Sequence, residues 1–267
     1  IFMMNGADSA LHIKETGHDY GFFLSGMVGS LLVGLPNMGL EFIEKIGWWG
    51  HLCMVLTFLV YLPYSKHLHI MLAFPNTFFT RPEAKGEIRN MTAIQHEVQS
   101  MMDPSFVVPT TDGEVKFGAK DVYDLTWKNL LDAYSCTECG RCTAACPANQ
   151  TGKLLSPRKI MMDTRDRMEE LSECRKDHGP DFVDNKSLLG DYITTEELRA
   201  CTTCNACVEE CPVNISPLSI ILELRRNLIM EQSDSPAEWN NMFNNMENNQ
   251  APWQFSPSDR LNWTNDI

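Results

Sequence analysis

Eight of the ten cysteines fall into two short runs of matching spacing, and that limits what the chain can fold into more than any other feature. The first run is Cys136-Thr137-Glu138-Cys139-Gly140-Arg141-Cys142-Thr143-Ala144-Ala145-Cys146-Pro147. The second is Cys201-Thr202-Thr203-Cys204-Asn205-Ala206-Cys207-Val208-Glu209-Glu210-Cys211-Pro212. Both follow C-x2-C-x2-C-x3-C-P. Three thiolates spaced by two residues can wrap three corners of an iron–sulfur cube, and the short loop aims backbone N–H groups at the sulfurs. The fourth cysteine, followed by proline, turns away and ligates the other cluster. The spacing therefore assigns Cys136, Cys139, Cys142 and Cys211 to one [4Fe–4S] cluster. It assigns Cys201, Cys204, Cys207 and Cys146 to a second. Such crossing would hold the clusters close enough for an electron to hop between them. Two zinc sites are the alternative, but zinc usually takes two separated ligand pairs rather than four cysteines in one run.

About 55 residues separate the runs, and the segment between them reads as helix. The expected fold is therefore mainly α: a transmembrane helical segment followed by an α-helical ferredoxin domain. Helix signals frame both runs. Leu125, Leu130, Leu131 and Tyr134 mark a helix before the first. Ser156-Pro157 and Ser216-Pro217 open helices after each, with proline at the first position. Thr194 with Glu197 makes a capping box before the second run, and Ser235-Pro236-Ala237-Glu238 reads as another. The latter would start a helix with Trp239, Met242, Phe243 and Met246 on one face. Outside the runs, Cys174 reads as a plain structural thiol and Cys53 as a small apolar residue in a membrane helix.

The first quarter differs in composition. Residues 20–40 and 46–65 carry no Lys, Arg, Asp or Glu. Each stretch has the length that crosses a hydrocarbon core of about 30 Å. Gly26, Gly29 and Gly34 suit close packing in lipid, and Trp48-Trp49 suits an interfacial belt. A pair of buried core helices is the alternative. Glu41, Glu44 and Lys45 form the connector, while Lys66, Arg81, Lys85 and Arg89 follow the second stretch. This bias places the second side in the cytoplasm, and with it the downstream domain on the inner face of the cell inner membrane. Clustered cysteines agree with a reducing compartment. The absence of an initiator Met and of a signal-peptide pattern points to further membrane helices upstream of Ile1. The net charge of −13 argues against nucleic acid as a partner.

His51 and His69 are 18 residues apart, five turns of one helix, so both would face the same way about 27 Å apart. That register fits axial ligation of two stacked b haems, one near each membrane surface. His67 lies off that face, and His12 and His18 precede the first apolar stretch. In domain terms the chain reads as a membrane segment over 1–80, a linker with a hairpin at Asp112-Gly113 over 81–120, the cluster domain over 121–232, and a helix and tail over 233–267.

The stretch Trp48-Trp49-Gly50-His51 through Tyr61-Leu62-Pro63-Tyr64-Ser65-Lys66-His67-Leu68-His69 resembles the last membrane helix of a nitrate reductase gamma-like domain. Residues 135–147 and 200–212, with Gly152-Lys153-Leu154-Leu155-Ser156-Pro157, resemble the module of heterodisulfide-reductase-related membrane iron–sulfur oxidoreductases. The resemblance implies a relay between quinone or haem b in the membrane and a redox partner subunit carrying Cys-Cys-Gly domains or flavin. This chain has no adjacent Cys-Cys pair, so no substrate-converting site is expected in it. Two other readings follow from the same residues: a peripheral subunit docked by a haem-free hairpin, and a structural subunit whose clusters never cycle. Arg141, Lys153 and Arg158 are the cations expected near the clusters.

Overall fold

The computed structural model describes residues 1–18, 20–84, 86–109, 116–180 and 182–265. The hairpin expected at Asp112-Gly113 lies outside the described residues. Among those described, the architecture is helical, with a single isolated β-bridge between Leu189 and Ile193. The chain divides into two compact units, Ile1–Leu68 and His69–Ile267.

The first unit holds α1 (Phe2–Thr16), α2 (Phe23–Leu32) and α3 (Asn37–Tyr61). Small residues let them approach closely. A Cβ on Gly6 would meet Val28 Cγ1 at 2.5 Å, and one on Gly29 would meet Gly6 O and Ser9 at 3.1 Å. Gly34, expected at such a contact, has nothing within 4 Å. Lys14 near the end of α1 donates to the Leu35 carbonyl and to Asn37 Oδ1, pinning the turn between α2 and α3.

The first apolar stretch is not one membrane-crossing helix. Residues 33–36 interrupt it, because Pro36 cannot donate to a helix already under way and instead sets the entry to the next one. This leaves α2 with 10 residues, too few to span. Glu41, Glu44 and Lys45 are not a connector either; they lie within α3, whose first turns they occupy. Asn37–Tyr64 is then one helix, apolar and long enough to cross a membrane, and none of its most apolar window is buried within the chain.

That helix also ends the five-turn argument for haem. After Tyr61 the chain tightens into a 3₁₀ turn at Leu62–Tyr64, around Pro63, and Ser65 is extended at φ −118°, ψ 163°. His69 belongs to a new helix, α4 (Leu68–Phe78). His51 and His69 therefore share no continuous helix, so the five-turn spacing does not by itself put them on one face. His67 sits in the break, 3.4 Å from Ser65 Oγ through Nδ1.

The second unit is built from α4, α5 (Thr92–Met102), α6 (Trp127–Ser135), α7 (Arg141–Ala144), α8 (Pro147–Gln150), α9 (Pro157–His178), α10 (Thr195–Ala200), α11 (Ala206–Glu209), α12 (Pro217–Arg226) and α13 (Ala237–Asn249). Its order is a repeat. A threonine-capped helix leads into each cysteine run: Thr126 accepts from Asn129 N–H before α6, and Thr194 from Glu197 N–H before α10. A Ser-Pro helix leaves each run: Ser156 caps α9 and Ser216 caps α12, with proline at the first helical position. The apolar faces of α9 and α12 meet in one core that includes Ile160, Met161, Leu171, Ile220, Ile221 and Leu224. By contrast, no side-chain cap forms at α13; Ser235 Oγ donates instead to Asn240 Oδ1. Its Trp239, Met242, Phe243 and Met246 stay exposed.

Two polar clusters are built into this unit. Asn76 of α4 is fully buried, donates to Val213 O at 2.9 Å and accepts from Lys128 Nζ at 2.8 Å; Lys128 pairs with Asp132. Burial pushes the Asp132 carboxyl above its usual range, opposed by Lys128, and its Oδ2 lacks a hydrogen-bond partner. The other cluster is centred on Arg167, whose side chain is 1% exposed. It pairs with Asp121 and Asp184 and donates to Lys186 O, joining α9 to the loop that follows it and to the segment before α6.

Arg167→Ala leaves two carboxylates facing an emptied pocket, so a loss of about 3 kcal/mol is expected in chemical denaturation. The pH dependence has a definite sign. Arg167 hydrogen bonds hold the Asp184 carboxyl below its ordinary value. That stabilisation is present above the unfolded carboxylate range and is lost as pH falls through the lower folded value. The variant should therefore show a flatter acid limb than the parent; an unchanged limb would contradict the pairing.

Candidate metal centre

The eight cysteines of the two runs line two separate cavities, and the fourth cysteine of each run changes sides. Cys136, Cys139, Cys142 and Cys211 line one, with Gly140, Arg141, Arg158, Glu210 and Val213 among their neighbours. Cys146, Cys201, Cys204 and Cys207 line the other, with Leu155, Pro157, Leu218 and Ile221. Cys207 also reaches the first cavity's wall, so the cavities share a partition. The proline after Cys146 fits this turn, since Pro147 starts α8 at its first position.

The loops have the same backbone. Glu138 and Thr203, each two residues after the first cysteine, both have φ of 56°. Gly140 and Asn205, two residues further, have φ of 79° and 62°. Left-handed conformation at both positions curls the chain around a point and turns N–H groups inward. Thr203 N–H donates to Cys201 Sγ at 3.4 Å and Ile215 N–H to Cys211 Sγ at 3.3 Å.

The donor set fits iron–sulfur cubes: four thiols per cavity, with amide N–H groups aimed at sulfur. Among the described residues, no three His, Cys, Asp or Glu groups converge on a single-ion site. Mononuclear zinc needs its four ligands within about 2.3 Å of one point. When bound, an iron–sulfur cluster supplies one-electron redox chemistry. The chain's own part is to hold thiolates, wall off water and set the local charge.

Burial makes those thiols poor acids before metal arrives. It pushes Cys207 up to about 12 and Cys136 up to about 11, and raises Cys142 and Cys201. Cys139 goes the other way, because the Arg141 backbone N–H donates to it. Loading iron must therefore displace protons, and binding tightens as pH rises.

Of the cations expected nearby, Arg141 and Arg158 line the first cavity, whereas Lys153 is not among the residues lining either. Two arginines escaped the sequence reading. Arg165 on α9 pairs with Glu138 at 2.7 Å. Arg225 on α12 donates to the carbonyls of Leu198 and Cys201. Their signal was present in the sequence: each lies eight residues after the proline of a Ser-Pro helix start. Cys174, on α9, lines neither cavity, and Cys53 is exposed on α3. His51 lies on α3 and His69 on α4, outside both cavities.

In the metal-free chain, brief alkylation at pH 8 followed by mass spectrometry should label Cys139 well before Cys136 and Cys207. Raising the pH to 10 should accelerate Cys136 proportionally more. Labelling of Cys207 first would contradict this geometry.

Comparison with known proteins agrees with the site. A 4Fe-4S dicluster domain model matches residues 135–215. The chain is 31% identical to the probable iron-sulfur-binding oxidoreductase FadF of Bacillus subtilis strain 168, over 98% of this chain and 39% of that protein. It is 29% identical to the EtfAB:quinone oxidoreductase of Syntrophomonas wolfei, over 94% of this chain and 35% of that one. A probable membrane-anchored ferredoxin of Chromohalobacter salexigens is 34% identical over 58% of this chain and 25% of its own length. The chain thus spans well under half the length of these relatives, and shorter matches reach heterodisulfide reductase subunits C and D of Methanosarcina species. Residues 135–215 form a 4Fe-4S dicluster domain, and the chain is a relative of the iron–sulfur oxidoreductases that include those heterodisulfide reductase subunits.

Proposed function

We propose that this chain is a membrane-anchored electron relay. Two [4Fe–4S] clusters, one held by Cys136, Cys139, Cys142 and Cys211 and one by Cys201, Cys204, Cys207 and Cys146, pass electrons between quinone in the membrane and a redox partner protein. The observation that carries the reading is the exchange of Cys146 and Cys211 between the two cavities. It ties both cavities to one partition, so an electron on one cluster is a short hop from the other.

The membrane end rests on three observations: the helix Asn37–Tyr64, the relatives' names, which include a quinone oxidoreductase and a membrane-anchored ferredoxin, and the exposed apolar surface of α3. Lys66, Arg81 and Arg89 after that helix favour the cytoplasmic side of the inner membrane for the cluster domain. In this division residues 121–232 carry the clusters, 81–120 link them to the membrane segment, and 233–267 add an exposed apolar helix and tail. Haem b is not required: quinone can exchange electrons with a cluster directly or through a partner.

The test uses membranes containing the intact protein. A short-chain quinol should bleach the broad visible absorption of the clusters, and the oxidised quinone should restore it. Clusters that respond to dithionite but never to quinol or quinone would favour a peripheral docking subunit. Clusters that respond to neither would favour a structural role.

A further inference from the structure

We infer that Arg165 and Arg225 are the residues through which this chain sets the reduction potentials of its two clusters, and that Glu138 cancels at the first cluster the charge that Arg225 exerts at the second. The inference rests on the two-cluster reading above and assigns it an electrical asymmetry.

The two arginines are equivalent positions of the internal repeat. Arg165 lies eight residues after Pro157 on α9, and Arg225 eight residues after Pro217 on α12. Each helix carries its guanidinium back to the start of its own cysteine run. Arg225 reaches the carbonyl of Cys201 itself, and Arg165 reaches the side chain of Glu138, two residues after Cys136.

The surroundings of the two guanidinium groups then diverge. Arg165 meets the Glu138 carboxylate at 2.7 Å, with both side chains mostly shielded from solvent, at 18% and 22% exposure. Asp166, more exposed, lies 3.6 Å from the same guanidinium, so the carboxylates around Arg165 offset its charge seen from the cluster. In the second run the position matching Glu138 is Thr203, which has the same φ of 56° but no charge. Arg225 accordingly donates to the neutral carbonyls of Leu198 and Cys201 and forms no ion pair among the described residues. Its positive charge is uncompensated and half-buried, where solvent screens it less than at the surface.

Uptake of one electron adds one negative charge to a cluster already anionic through its four thiolates; no bond forms or breaks. A nearby uncompensated cation favours the reduced form, and a neutral pair does not. The cluster of Cys201, Cys204, Cys207 and Cys146 is therefore the more readily reduced of the two. Arg141 and Arg158, exposed and accompanied at the first cavity by Glu210, are screened by water and weigh less.

The experiment is a redox titration of the purified cluster-loaded protein, followed by EPR, on the parent, Arg225→Gln, Arg225→Lys and Glu138→Gln, with iron and sulfide measured on each. Arg225→Gln should lower one midpoint and leave the other in place. Arg225→Lys, which keeps the charge, should fall nearer the parent. Glu138→Gln should raise the other midpoint by removing the nearer of the two carboxylates that offset Arg165. Full loading with both midpoints unmoved in the Gln variants overturns the inference, and so does a shift of the same midpoint by both. If Arg225→Gln fails to load, the Glu138→Gln result decides: a raised midpoint supports the inference and an unmoved one overturns it. A parent chain holding fewer than two clusters overturns the two-cluster reading, and this inference with it.

Discussion

The structure depends on one exchange of side chains between two cavities. Cys146 leaves the run that contains it and joins the cavity of Cys201, Cys204 and Cys207, while Cys211 makes the reciprocal move. Neither run can close its own site, so each half of the repeat is incomplete without the other. Burial amplifies this constraint. A thiol pushed up to about 12, as Cys207 is, strongly disfavours the thiolate unless iron compensates it. Under the proposed crossed ligation, cluster assembly and docking of the two halves would be one thermodynamic event.

The helices around the runs serve that exchange. Ser-Pro starts launch α9 and α12 where the loops end, and the two helices pack face to face in the core. The buried Asn76–Lys128–Asp132 cluster secures the turn after Cys211 from the other side, through the Val213 carbonyl. Arg167 gathers the long loops beside α9. Polar groups this deep add little net stability but specify a single arrangement, here one that aligns two half-sites.

What the sequence made legible follows from how local each signal is. The cysteine spacing, the Ser156, Ser216 and Thr194 caps and the helical class all depend on a few neighbouring residues, and all appear in the structure. Long-range inferences fared worse. Counting residues without charge made residues 20–40 a membrane span, although Pro36 divides it; the same count misread Glu41, Glu44 and Lys45 as a connector. The five-turn register of His51 and His69 assumed one helix through Pro63 and Ser65, where the backbone turns extended. Arg165, Arg167 and Arg225 stayed hidden because their partners lie 27, 46 and 24 residues away in sequence. Only the repeat, once seen, relates Arg165 to Arg225.

The crossed ligation is the central claim, and one variant tests it most directly. Cys146→Ser in the purified protein, examined by EPR and by iron analysis, removes a ligand encoded in the first run. The account predicts that the altered or lost cluster signal is the one that Cys204→Ser also perturbs, while the signal perturbed by Cys139→Ser survives. If Cys146→Ser instead disturbs the signal shared with Cys139→Ser, each run closes its own site and the account is contradicted.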